Sequence, residues 1–143
     1  MPPEEVRRHM EKADIYLFTS DFNEGWGAVL NESMNSGCAV VASHAIGSVP
    51  FLIKNGENGL IYENGNQLDL EKQVLRLLED GAFRKKIAEN AYETMINLWN
   101  AETAAERFLT LTEKLLKNEN TDSLFLDGPC SKAAILKNDW YQH

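Results

Sequence analysis

The sequence predicts an α/β domain built on a parallel sheet flanked by helices. Three observations carry that expectation. Strand-like and helix-like segments alternate through the first half of the chain, the pattern of a parallel sheet with crossover helices. The strand-like runs are apolar at odd and even positions alike, as strands covered on both faces are. The length of 143 residues, 43% of them hydrophobic, suits a single domain with a packed core.

The elements follow in order. Pro2-Pro3-Glu4-Glu5 reads as a helix entry, because proline is tolerated in a first turn and acids there suit the helix dipole. Val6, His9 and Met10 form the expected inner stripe of a short helix ending near Lys12. Ile15 to Thr19 is a strand apolar on both parities, hence expected to be covered on both faces. Ser20 to Gly27 is a loop. Trp26 to Ser36 reads as a helix with Val29, Leu30 and Met34 inward and Gly37 as its stop. Cys38 to Ala42 is a second buried strand, and Ser43 to Pro50 a loop around Gly47. Phe51-Leu52-Ile53 is a short helical turn. Asn55-Gly56 and Asn58-Gly59 are turn signals before a third strand, Leu60-Ile61-Tyr62. Three helices follow, over Leu68–Glu79, Ala82–Leu98 and Thr103–Leu116. Their expected core faces are Leu68, Leu70, Val74, Leu75, Leu77 and Leu78; Phe83, Ile87, Ala91, Met95 and Leu98; and Ala104, Phe108, Leu111 and Leu115. From Asn118 onward the period is lost. The sequence thus divides into a domain over residues 1–117 and an irregular tail over 118–143, with Trp140 and Tyr141 as docking anchors.

Composition excludes some functions. With 22 acidic against 14 basic residues and a net charge of −8, the chain lacks the basic face of a general nucleic-acid binder. No run approaches the roughly 20 apolar residues of a membrane span. The two cysteines, Cys38 and Cys130, lie far apart, and Cys38 sits in an apolar strand, which reads as a buried free thiol. A cytoplasmic protein without structural disulfides is the expectation.

The informative stretch is Asp21 to Gly37, which follows one buried strand and opens a helix. Ligands of open α/β sheets bind outside the carboxyl ends of strands, which puts Glu24 at a crevice. Gly25 and Gly27 carry no Cβ, so the N–H groups of Gly25, Trp26, Gly27 and Ala28 can approach an anion at the helix start, and phosphate is the natural guest. Glu32 stands eight residues beyond Glu24, about 12 Å along the axis if one helix spans the interval. Ionised carboxylates only accept hydrogen bonds, so a ligand reaching both acids offers hydroxyls at both ends. A sugar, a diphosphate and a ribose in that order fit, with the ribose diol on Glu32.

The Glu24-x7-Glu32 spacing is preceded by Ala13-Asp14 and Thr19-Ser20. It is followed by Gly37-Cys38-Ala39-Val40-Val41-Ala42-Ser43, by Ile46-Gly47-Ser48-Val49-Pro50 and by Asn55-Gly56-Glu57-Asn58-Gly59-Leu60. In that order, over residues 4–117, the chain resembles the retaining glycosyltransferases of family 4. The resemblance implies the later part of the C-terminal, Rossmann-like, donor-binding domain of the GT-B fold. It implies a nucleoside-diphosphate sugar as co-substrate, no metal, no cofactor, and retention of anomeric configuration by front-face displacement. It makes Glu24 the catalytic and donor-sugar residue and puts Glu32 on the ribose. The backbone of Gly25, Trp26 and Gly27 then lies by sugar and phosphates, and the loop carrying His44 and Gly47 flanks the donor. A glycan or lipid-linked acceptor and a place at the inner membrane face follow from the same resemblance. Ser33, Ala39 and Phe51 stand where family members usually carry alanine, proline and an acid. The family's diphosphate-binding Arg and Lys and its N-terminal domain precede the point matched by Met1, so a missing upstream half is expected as partner.

Blander readings stand beside these. Glu24 and Glu32 are also ordinary solvated acids, His44 an ordinary loop histidine near the surface, and Trp26 a residue that fixes its loop. Asn31 and Asn35 read as solvent-facing. Arg84-Lys85-Lys86 reads as a solvated face, with contact to anionic lipid as the alternative. The competing function is a non-catalytic α/β interaction module; an epimerase-like Rossmann half is a third.

Overall fold

Cys38 through Ala42 have no exposed surface, and Ala39–Ser43 form the central strand of the molecule. The computed structural model describes residues 2–142. Its sheet has three parallel strands, β1 (Ile15–Phe18), β2 (Ala39–Ser43) and β3 (Leu60–Tyr62), in the order β1-β2-β3. Ile15 stands opposite Ala39 and Phe18 opposite Ala42; Val41 pairs with Leu60 and Ser43 with Tyr62. This register brings the carboxyl ends of the strands to one edge. The helices are α1 (Pro3–Met10), α2 (Val29–Asn35), α3 (Val49–Leu52), α4 (Gln67–Glu79), α5 (Gly81–Asn97) and α6 (Ala101–Leu116), and a 3-10 turn covers Trp140–Gln142. The fold is the α/β sheet flanked by helices that the sequence predicts.

Two apolar clusters sandwich the sheet. One joins Phe18, Val40, Ala42 and Ile61 to Met10, Leu30, Met34, Ala91 and Met95. The other joins Ala39, Val41, Leu60 and Tyr62 to Leu77 and Ile87. Alternate residues of β2 thus serve opposite faces, which is why its run is apolar at every position.

Several expectations are corrected. β1 is an edge strand, and Leu17 is 44% exposed rather than covered. His9 is exposed, so the inner side of α1 reduces to Val6 and Met10. The first residue of α2 is Val29, not Trp26. Gly27 takes a φ of +74°, outside the helical region, and that halts the helix on its N-terminal side. Leu68, Leu75 and Leu78 of α4 are exposed, whereas Gln73 is buried. No residue of α6 is buried, and Phe108 is 61% exposed and Leu115 is exposed too. A three-stranded sheet is too narrow to cover every apolar stripe that the helices present.

The three long helices begin one or two residues earlier than the apolar period suggests. Asn66, Asp80 and Asn100 each accept a hydrogen bond from the N–H three residues on, in Asp69, Phe83 and Thr103. These polar caps set the starts. Gly37, at φ +79°, follows the end of α2, as its place in the sequence suggests.

Beyond Lys117 the chain runs back along the molecule. Arg107 donates to the Asp127 carbonyl and lies over the Phe125 ring, 4.7 Å from its centroid. Lys54 reaches Asp127 at 3.5 Å. Trp140 and Tyr141 then pack on the first apolar cluster.

Candidate functional site

Two loops leave the carboxyl ends of neighbouring strands, residues 19–28 after β1 and 44–48 after β2. They are sewn together by main chain. Gly47 N–H donates to Gly25 O at 3.0 Å, and Ser48 N–H to Trp26 O at 3.1 Å. The glycines explain how the loops come so close. A Cβ on Gly47 would stand 2.3 Å from Gly25 O. A Cβ on Gly27 would meet the Phe18 ring at 2.8 Å and Ile46 at 3.0 Å. Gly27 is therefore required by packing and by its positive φ. Gly25, exposed and with nothing within 4 Å of a Cβ, is the open position.

With the carbonyls of Gly25 and Trp26 turned toward the second loop, the N–H groups of Gly25, Trp26, Gly27 and Ala28 donate to nothing among the described residues. A run of unpaired main-chain donors at the end of a strand suits an anion. Because α2 starts only at Val29 and has seven residues, these donors belong to a loop rather than to a helix start. The helical rise therefore does not measure the separation of Glu24 from Glu32.

Glu24 is half-buried and accepts a hydrogen bond from Ser20 Oγ at 3.3 Å. Glu32 is exposed on α2 and borders a cavity of about 570 Å³ with Asn31, Asn35, Met95 and Trp99. It also borders a second cavity of about 340 Å³ with Val6, Arg7 and Met10. Tyr16 lies within the field of both acids. Burial, and then the negative charges of Glu32, Cys38 and Glu24, push its phenol above the ordinary tyrosine value. Sequence reasoning passed over Tyr16; its place on the same strand face as Phe18 is the signal that points to it.

Trp26 is partly exposed. Its Nε1–H donates to Asn31 Oδ1 at 2.9 Å, and its ring stacks on Phe51 with centroids 5.8 Å apart. Trp99 lies at the same distance on another side. Asn31 is thus a partner of Trp26 rather than a purely solvent-facing residue.

His44 is buried, at 6% exposure, and not a surface histidine. Its Nδ1 accepts the N–H of Asn64 at 2.8 Å. In the neutral ring the proton then sits on Nε2. Nε2 is buried and has no hydrogen-bond partner among the described residues. Phe22 approaches the imidazole edge-on, with centroids 5.6 Å apart, and Tyr141 lies on it at 4.2 Å. The neighbouring Ser48 Oγ is likewise buried and unpaired among the described residues. The structure therefore brings Gly25, Trp26, Gly27, His44 and Gly47 into one pair of loops, with Glu24 at its margin and Glu32 one helical segment away.

Residues 1–94 match the profile of the family described as glycosyl transferases group 1. The chain belongs to this family. It is 32% identical over 121 residues to a D-inositol 3-phosphate glycosyltransferase of Corynebacterium glutamicum (strain R), a match covering 85% of this chain and 28% of that protein. The C-terminal domain of a glycosyl transferase group 1 family protein from Francisella tularensis superposes with a TM-score of 0.64 at 30% identity, covering 70% of this chain and 50% of that one. Anabaena HepE in complex with UDP-glucose superposes with a TM-score of 0.54 at 26% identity, covering 78% of this chain and 28% of HepE. The fold is that of the Rossmann-like C-terminal domain of GT-B glycosyltransferases. The chain spans well under a third of the length of the curated relative above. Among the described residues no helix is long and apolar enough to cross a membrane, and no three His, Cys, Asp or Glu side chains gather as a metal site requires.

Proposed function

We propose that this chain is the donor-binding portion of a retaining GT-B glycosyltransferase of family 4. The supporting observation is the run of unpaired N–H groups at residues 25–28, placed after a strand end, with Glu24 immediately before it and Glu32 on the following helix. The diphosphate of a nucleoside-diphosphate sugar takes those N–H groups. The donor sugar reaches Glu24, the catalytic residue in this reading, whose Oε2 is steadied by Ser20. The ribose hydroxyls donate to Glu32, which the cavities on either side leave accessible. His44 and Gly47 flank the donor on the second loop. HepE, a relative in fold, is described in complex with UDP-glucose.

In the transfer, the bond from the anomeric carbon to the diphosphate oxygen breaks, and its electron pair stays on phosphate. The acceptor oxygen bonds to the same face of that carbon. Its proton passes to the departing phosphate oxygen. Fixed N–H donors are strongest where this negative charge develops, because they need no reorganisation.

The acceptor in this reading is a glycan or a lipid-linked sugar, met on the cytoplasmic side, at the inner membrane face for a lipid-linked one. The acceptor site belongs to an N-terminal GT-B domain, and further diphosphate contacts to sequence upstream of the matched region. Residues 1–117 are the donor-binding part and 118–143 an appended tail. No metal takes part.

Titration calorimetry with UDP- and GDP-sugars tests this reading, on the chain joined to an upstream half from the family. Glu32→Ala is expected to weaken donor binding about 10-fold or more, the loss of a hydrogen bond to a charged group. Unchanged affinity would overturn the assignment.

A further inference from the structure

The end of the chain occupies the crevice. Tyr141 lies on the His44 ring, centroids 4.2 Å apart and planes inclined by 33°, while Phe22 approaches the same imidazole edge-on from the β1 loop. Trp140 stands at 82° to Tyr141, 6.2 Å away, and both rings rest on the apolar cluster beneath. An aromatic ring from the tail therefore sits over the strand end whose loops are read above as the donor site.

The seat is made by ring packing alone. Among the described residues, the hydrogen bonds of residues 137–142 are all local: Trp140 N–H to Lys137 O, Gln142 N–H to Asp139 O, and Gln142 Nε2 to Tyr141 Oη. A segment with few buried contacts and no hydrogen bond to the body opens at low free energy. The cover also has a defect. It encloses His44 Nε2–H, a donor with no partner among the described residues. A hydroxyl or phosphate oxygen could meet that donor, and burying it unmet penalises the closed state.

We propose that residues 137–142 form a lid that closes on His44 when the crevice is empty and must lift to admit a sugar nucleotide. The lid keeps apolar surface and His44 out of water in the unloaded protein. The entering donor displaces Tyr141 and supplies the oxygen that His44 Nε2–H lacks. Donor affinity is then lowered by the fraction of molecules that are closed. This rests on the donor-site reading above.

The test uses the chain joined to an upstream half from the family, which supplies the remaining diphosphate contacts, with and without Tyr141→Ala, and UDP-glucose as probe up to millimolar concentration. Proton NMR of the histidine rings reports the contact, and calorimetry the affinity. Tyr141→Ala is expected to remove the ring-current shift of His44 while leaving His9 unmoved, and to bind UDP-glucose about 3- to 10-fold more tightly. If His44 is unaffected by Tyr141→Ala, the cover does not exist in solution and the proposal fails. If His44 responds but both proteins bind UDP-glucose equally, the lid is overturned while the donor site stands. If His44 responds and neither protein binds, the donor-site reading fails and takes the lid with it.

Discussion

Gly47 donates its main-chain N–H to Gly25 O at 3.0 Å, and a Cβ on Gly47 would stand 2.3 Å from that oxygen. The obstacle is backbone, so it cannot swing aside as a side chain would. Gly47→Ala must push the two loops apart. We expect a loss of about 1–3 kcal/mol, as overpacking in a fixed environment gives, read as a lower midpoint in urea. Gly25→Ala meets nothing within 4 Å and should stay within about 0.5 kcal/mol of the parent. Equal effects would show that the loops are not held together by this contact.

The same pair of loops shows what a sequence can disclose. That residues 19–28 and 44–48 neighbour each other follows from two consecutive parallel strands, and β2 and β3 are legible because their apolar runs serve two faces. The tight approach is less visible, since a glycine in sequence does not say whether it frees space for a ligand or for another backbone. Gly47 turns out to do the second. The exposure of Leu17 is hidden for a different reason: it depends on how many strands flank β1. His44 is the extreme case, because Tyr141, more than ninety residues on, lies on its ring. Local pattern cannot register a cover of that kind.

Asn58 marks a turn in the sequence but acts as a buried junction. Its Oδ1 accepts the Lys54 N–H at 2.7 Å, and its Nδ2 donates to Leu52 O and to Thr94 Oγ1, both at 2.9 Å. It thus ties the turn before β3 to α5. Asn58→Ala leaves several polar groups unmet and is expected to cost about 1–3 kcal/mol. Asn58→Asp keeps the acceptor but faces two oxygens, so it should be destabilising as well. Denaturant unfolding of the two variants measures this, and a neutral Asn58→Asp would contradict the donor roles of Nδ2.

Helices α5 and α6 look alike in apolar period yet differ in burial. Ile87 and Met95 of α5 are buried, while Phe108 and Leu115 of α6 are exposed. Truncating Ile87 to Ala opens a cavity and should cost about 2–5 kcal/mol. Phe108→Ala removes a ring from water and should change stability by under about 0.5 kcal/mol. Hydrogen exchange should likewise be faster in α6 than in α5, since stability is lowest where few apolar contacts are buried. A large loss for Phe108→Ala would mean that α6 is covered in solution, by a second copy or another chain.

Cys38 supplies the last prediction. Its thiol is buried and donates to the carbonyl oxygens of Met10 at 3.2 Å and Ala13 at 3.4 Å. Burial, and secondarily the charge of Asp14, push its pKa above the ordinary thiol value. The thiol form is therefore favoured in the folded chain, and the attacking thiolate is scarce. Iodoacetamide at pH 8 should modify the partly exposed Cys130 first, with Cys38 slower by roughly 100-fold or more because it reacts only through opening. In urea both should react. The same shift sets a pH dependence. Unfolding releases a thiol that ionises more readily, so this contribution to stability is intact below the unfolded thiol's pKa and declines as pH rises through and above it. Urea midpoints that fall between pH 8 and pH 10 in the parent, and fall less in Cys38→Ala, would show that the thiol is the group responsible. Parallel declines in the two proteins would assign the effect to other groups.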